Sequence, residues 1–265
     1  MNGAPLLTNE ASRSDEELLT NVVTTTRRRR DHSAIISALS NLSIQYNFQA
    51  IAIALAFMDG PAHIYPASPA DLSLLQSLVF AGAITGQLAM GYVGDLIGRR
   101  FAMVLTNTFT FLGAAGSAVS TVGSAEQVYA ILMVCRFVLG VGVGGKYPLS
   151  ATISAEARDG DTHSQRHSAT KVALAFFWQT PGAILPYVVA LAVLRIFGPA
   201  ATDAATVNAQ FRIILGLGAV PALAVGVLCF FQEESAEFTQ ACAVPEHPPW
   251  TLACAAPKHP PWTLA

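Results

Sequence analysis

From residue 33 onward the chain alternates long apolar stretches with short polar punctuation. Six stretches, at 35–58, 72–94, 101–122, 128–154, 171–196 and 211–231, stand out. Each is near the roughly 20 residues needed to cross about 30 Å of hydrocarbon. Runs such as Ile213 to Leu228 do not alternate apolar and polar positions, so the strands of a membrane barrel are excluded. Backbone groups in lipid must bond within their own segment, which leaves helices. The expected fold class is all-α and integral to the membrane, with six transmembrane helices.

The flanks read differently. Residues 1–32 are rich in Ser, Thr, Asn, Glu and Arg, the composition of a disordered arm. They hold no apolar core of a cleavable signal, so the first span is expected to serve as the insertion signal. Residues 33–240 form the membrane unit. Residues 241–265 form a low-complexity tail, in which the stretch from Ala241 to Leu252 is nearly repeated from Ala253 to Leu264. Twelve residues are too few for a packed repeat, and the prolines oppose regular helix. His247 and His259 in that repeat raise a metal-binding reading. The plainer reading is an extension without regular structure.

Composition supports lipid as the main solvent. The chain is 52% hydrophobic and 12% charged, against about 25% charged in soluble domains. The four cysteines have no metal-site or disulfide spacing. No metal or cofactor is expected. The histidines lie in flanks and loops, where nothing rigid would assemble a catalytic centre, so no enzyme activity is expected. A nucleic-acid partner would need a basic face. The one basic run, Arg27 to Arg30, reads instead as a cytosolic flank. Arg99, Arg100, Arg158, Arg166 and Lys171 fall on that same side, and loops 59–71, 123–127 and 198–210 hold no Lys or Arg. Arg195 and Arg212 are the exceptions. Both termini are therefore expected in the cytosol. A six-span channel fits poorly, since no filter motif or regularly spaced arginines occur.

Chemistry concentrates where polar groups enter apolar stretches. Arg136 and Lys146 lie in one span, ten residues or about 15 Å apart. A charge at that depth costs roughly 2.5–3.5 kcal/mol on insertion scales, so it normally faces a cavity and works there. Arg136 is the candidate coupling residue; the bland alternative for both cations is snorkelling to an interface. Gly140, Gly144, Gly145 and Pro148 weaken the same helix, as in helices that line solute sites. Asn41, Ser43, Gln45, Tyr46, Asn47 and Gln49 interrupt the first span, and Gln179, Thr180 and Pro181 the fifth. They either line a polar route or bond neighbouring helices. In the second span, Gly82, Gly86 and Ala89 share one face and suit close helix packing.

Three segments carry a family resemblance. Gly91-Tyr92-Val93-Gly94-Asp95-Leu96-Ile97-Gly98-Arg99-Arg100 resembles the loop 2–3 signature of the major facilitator superfamily, G-x-x-x-D-x-x-G-R-R. Arg136, Gly140, Gly142 and Gly144 resemble its span 4 motif, and residues 231–238 a decayed form of the segment after span 6. Gly144-Gly145-Lys146-Tyr147-Pro148-Leu149-Ser150-Ala151-Thr152-Ile153 resembles the G-G-D-Y-P-L-S-A-T-I signature of the phosphate:proton symporter branch. The resemblance runs from about residue 35 to 240 and implies the N-terminal six-helix half of a transporter.

That resemblance implies solute contacts for Tyr147 and Gln179, and Lys146 and Asn47 are the further candidate solute-binding residues. It implies a cytoplasmic gate made of Gly91, Asp95, Gly98, Arg99 and Arg100, with Glu156 as partner for an arginine. Two departures follow. Lys146 stands where the branch has aspartate, and Asn47 lies nearest one of its first-span acids. No Asp or Glu remains inside a span away from its ends, although proton coupling needs a titratable group in the pathway. Lys146 would then serve as a fixed cation for an anion or carry the proton itself. The superfamily works with twelve spans, so the chain is expected to be truncated or to pair with a second six-span half. The expected function is secondary active transport of a small solute, inorganic phosphate first. The alternatives are a sugar or organic-ion carrier, or a non-transporting half that pairs with a full-length relative.

Overall fold

The computed structural model describes residues 34–58, 65–66, 68–120, 123–156, 165–198 and 203–232. The N-terminal arm, the repeat tail with His247 and His259, and the basic residues Arg27 to Arg30 and Arg158 lie outside them. Every long element among the described residues is a helix: α1 (34–58), α2 (Pro69–Ile97), α3 (Arg99–Val119), α4 (Ala125–Glu156), α5 (Gln165–Phe177), α6 (Gln179–Phe197), α7 (Ala204–Gly216) and α8 (Ala219–Phe230). The six expected spans correspond to α1, α2, α3, α4, α5 with α6, and α7 with α8.

Local chemistry sets the ends. At the start of α2, Ser68 and Asp71 form a capping box: the Asp71 N–H donates to Ser68 Oγ at 3.1 Å, and the Ser68 N–H to Asp71 Oδ2 at 3.2 Å. The reciprocal pair satisfies donors that a helix start otherwise leaves open. Asp203 caps α7, so the sixth helical stretch begins at Ala204 rather than near 211. The third ends at Val119, short of the expected 122, with Ser120 closing the last turn. Gly98 separates α2 from α3 at φ 97°, a conformation that costs L-residues with a Cβ.

Two spans are broken, each just before a proline. Pro181 cannot donate to the Phe177 carbonyl, and the chain turns at Trp178 between α5 and α6. Pro221 cannot donate to the Leu217 carbonyl; Val220 N–H bonds it instead at 3.3 Å, and α7 gives way to α8 at Leu217 and Gly218. A missing donor frees a carbonyl and permits such breaks. Pro148 and Pro186 lie within α4 and α6, which continue through them.

Small residues bring α2 and α4 together. A Cβ on Gly82 would meet the Phe137 carbonyl, and one on Gly86 the Val141 carbonyl. In return, Gly140 and Gly144 face the carbonyls of Val79 and Ala83. The expected packing row is corrected at one place. Ala89 is exposed, and the buried row of α2 is Leu75, Val79, Gly82, Ala83, Gly86, Met90 and Gly94. Met90 continues the strict i+4 line through Gly86 and Gly94, because its thin, flexible side chain fits where Thr106 and Gly145 approach.

Five helical stretches among the described residues are long and apolar enough to cross a membrane: Pro69–Ile97, Arg99–Val119, Ala125–Thr152, Val172–Phe197 and Ala204–Phe230. The sixth, α1, is equally long but carries Ser37, Ser40, Asn41, Ser43 and Asn47, all buried within the unit. Large apolar side chains such as Leu88, Ile84 and Ile196 point outward, as expected where lipid replaces water. Polar groups inside and apolar groups outside define a multi-pass integral membrane bundle.

Candidate functional site

The polar stripe of α1 joins nearly every singled-out interior residue. Lys146 of α4 has no exposed surface, and its Nζ donates to Ser43 Oγ at 3.3 Å. Arg136, also fully buried, donates from Nη1 to the Asn47 carbonyl at 3.3 Å. Asn47 Nδ2 donates to the Ser43 carbonyl at 2.9 Å and to the Gly218 carbonyl at 3.1 Å. Asn47 therefore ties α1 to the break between α7 and α8. Tyr46 adds a second tie there, its hydroxyl donating to the Ile214 carbonyl at 2.9 Å.

Gln179 opens α6 just after the Trp178 break. Its Nε2 donates to Asn41 Oδ1 at 2.9 Å, and its Oε1 accepts from Gln45 Nε2 at 3.3 Å. Asn41 in turn donates to the Ser37 carbonyl at 2.9 Å. The chain of amides fixes the Gln179 carboxamide and leaves it one further N–H and one lone pair for a ligand. Tyr147, adjacent to Lys146, stacks on Phe176 of α5 with centroids 6.5 Å apart and planes at 7°. Both Tyr147 and Gln179 are half-buried, so they border the surface of the unit, whereas Lys146 and Arg136 lie within it.

The gate residues collect at one end of α2 and α3. Arg99 Nη1 bonds Asp95 Oδ1 at 2.7 Å and donates to the Gly94 carbonyl at 2.9 Å. Arg100 leaves this pair, donates from Nη2 to the Phe230 carbonyl and lies over the rings of Phe101 and Phe230, 5.4 Å and 5.8 Å from their centroids. A guanidinium at the C-terminus of α8 also meets the negative end of that helix. Glu156 ends α4, but its side chain lies outside the described residues. Gly98 provides the turn, while a Cβ on Gly91 would meet nothing within 4 Å.

The amides of α1 are visible in the sequence, but their partners are not. Ser43 had no sign beyond its place in that polar stripe; only the fold brings it to Lys146. Among the described residues no group of three or more His, Cys, Asp or Glu side chains could hold a metal ion.

A bundle with this topology and polar interior has the architecture of one six-helix half of a major-facilitator-type fold. Solved structures of the xylose transporter XylE from E. coli share the fold. One is titled as a proton:xylose symporter of the major facilitator superfamily and matches with TM-score 0.69 at 19% identity, covering 87% of this chain and 49% of that one. Another, a partially occluded inward-open form, matches with TM-score 0.68 at 20% identity, covering 85% and 53%.

The family described as sugar (and other) transporter matches residues 32–246, and the chain belongs to it. Curated relatives include inorganic phosphate transporter PT2 of Toxoplasma gondii, 38% identical over 208 residues, which cover 78% of this chain and 35% of that protein. Probable inorganic phosphate transporter 1-5 of Oryza sativa subsp. japonica is 30% identical over 225 residues, covering 80% and 41%. The chain thus spans well under half the length of these relatives.

Proposed function

We propose that this chain is a six-helix unit of a secondary transporter that carries a small anion, inorganic phosphate foremost, by alternating access. The observation that carries the reading is Lys146: a fully buried cation on α4, beside Tyr147 and in a unit whose described carboxylates all sit at helix ends. Such a charge attracts an anion. Tyr147 and Gln179 would donate hydrogen bonds to the oxyanion. Asn47 would add a solute contact from α1, and Arg136, bonded to the Asn47 carbonyl, would serve as the coupling residue. Named relatives that are phosphate transporters support the choice of solute.

The Asp95–Arg99 pair and the Arg100 contact to α8 would gate one face, with Gly91 giving room for motion and Glu156 a second partner for an arginine. An ion pair present in one conformer and broken in another biases a two-state carrier. We place that face, the arm 1–32 and the tail 241–265 in the cytosol, at a plasma or organelle membrane. The half-buried Tyr147 and Gln179 would complete their solute contacts against a second six-helix unit. A coupling proton, if used, would travel on Lys146.

Uptake of labelled phosphate into liposomes holding the full chain, with and without a co-reconstituted second unit, tests this reading. Uptake that Lys146→Ala abolishes supports it; no uptake in either arrangement defeats it. The amide chain of Asn41, Gln45 and Gln179 favours a second reading, a sugar or other hydroxylated solute, because amides pair well with hydroxyls. Competition by sugars rather than by phosphate would select it.

A further inference from the structure

Arg136 has more hydrogen-bonding capacity than its surroundings use. Its side chain has no exposed surface, and only Nη1 has a partner, the Asn47 carbonyl at 3.3 Å. Nε and Nη2 meet no hydrogen-bond partner among the described residues. These two nitrogens share one edge of the guanidinium plane. That edge donates two parallel N–H bonds, the fork with which arginine grips an anion.

No described carboxylate lies beside it. Asp71 and Glu126 are in the first turns of α2 and α4, Asp95 is at the far end of α2 and Asp203 caps α7. The carbonyl of Asn47 satisfies one donor but carries no full charge. A buried cation without a counter-charge is strongly disfavoured. A second six-helix unit docking on the surface would not touch a side chain that has none exposed.

We propose that Arg136 binds a small inorganic anion through its Nε–Nη2 edge, between α1 and α4, at a site separate from that of Lys146. The two cations are ten residues apart on α4, about 15 Å along the axis, and reach different α1 residues, Asn47 and Ser43. The inference does not depend on phosphate being the transported solute. Chloride fits the edge as one sphere shared by two N–H groups. Phosphate fits it with two oxygens.

The test is thermal unfolding of the full chain in detergent, first in sodium gluconate, whose anion is too bulky for a buried site. Chloride or phosphate then replaces gluconate at constant ionic strength. Binding to the folded state alone should raise the midpoint, by about a few degrees for modest saturation. The variants are compared in a Lys146→Gln background, which removes the phosphate contact proposed above; the expected result is a rise that this background keeps and that adding Arg136→Gln loses. A rise in chloride alone identifies a halide site, one in phosphate alone an oxyanion site, and one in both an unselective small-anion site. Arg136→Lys keeps the charge but loses the fork, and its apparent affinity should fall about tenfold. A wild-type midpoint equal in all three salts overturns the proposal and leaves the guanidinium hydrated only. So does a rise that, in the Lys146→Gln background, survives Arg136→Gln, or the absence of any rise in that background. If Arg136→Gln does not fold, wild-type affinity in Arg136→Lys overturns it.

Discussion

Single side chains decide what this interior can hold. Lys146 is bonded to one neutral hydroxyl, Ser43, which leaves its charge without a counter-charge at that contact. Lys146→Ala should reduce phosphate uptake at least about tenfold, the equivalent of one interaction near 1.4 kcal/mol, while Lys146→Arg should retain part of it; a dose–uptake curve separates the two. Gln179→Leu strips Asn41 Oδ1 and Gln45 Nε2 of their partner at once. Asn41 is buried, and a buried polar group left unsatisfied costs about 1–3 kcal/mol. The expected outcome is a lower unfolding midpoint together with weaker solute affinity, and the double variant with Asn41→Leu should recover part of the midpoint but none of the affinity. The types of these residues were legible in the sequence: amides and cations in apolar runs. Their pairing was not, because Asn41 and Gln179 are separated by 138 positions and only helix packing sets which amide meets which.

At the scale of elements, the α2–α4 seam depends on absent side chains. Gly144→Val would drive a branched side chain into the Ala83 backbone. Overpacking a seam of this kind typically costs about 1–3 kcal/mol, so expression and midpoint should both drop. Gly91→Ala is the control: nothing lies within 4 Å of the added Cβ, and the fold should be unaffected. Were both glycines tolerated equally, the close approach of α2 and α4 would not be a source of stability. Glycine spacing made this seam visible in advance, but it put Ala89 on the buried face in place of Met90. Size alone misled there, since burial follows the row that meets the partner helix rather than the smallest side chains. The breaks at Trp178 and Leu217–Gly218 were equally hidden. Prolines are tolerated within α4 and α6 yet accompany breaks near Pro181 and Pro221; the neighbours, not the proline itself, determine which occurs.

For the molecule as a whole, the gate and the orientation make one prediction. A cysteine replacing the exposed Asp95 should react with impermeant thiol reagents from the cytosolic side, where the proposed orientation puts this face. Labelling from the outside would reverse the proposed orientation. The Asp95–Arg99 pair is largely exposed at Asp95, whose side chain is 70% accessible, and exposed pairs contribute little, about 0–1 kcal/mol. Its loss in Asp95→Asn should therefore leave stability nearly unchanged while altering the uptake rate.

The sequence by itself determined that the chain crosses a bilayer as helices, because lipid offers no partner for an open backbone and the apolar runs are long enough to satisfy it internally. It also determined which helices carry charge and amide groups. Only the tertiary structure decided that α1 is the shared wall of the site, that Asn47 and Gln179 act as ties between helices, and that Arg100 parts from Asp95 to cap α8. Those outcomes depend on angles and contacts between helices distant in the chain, which hydropathy along one dimension does not encode.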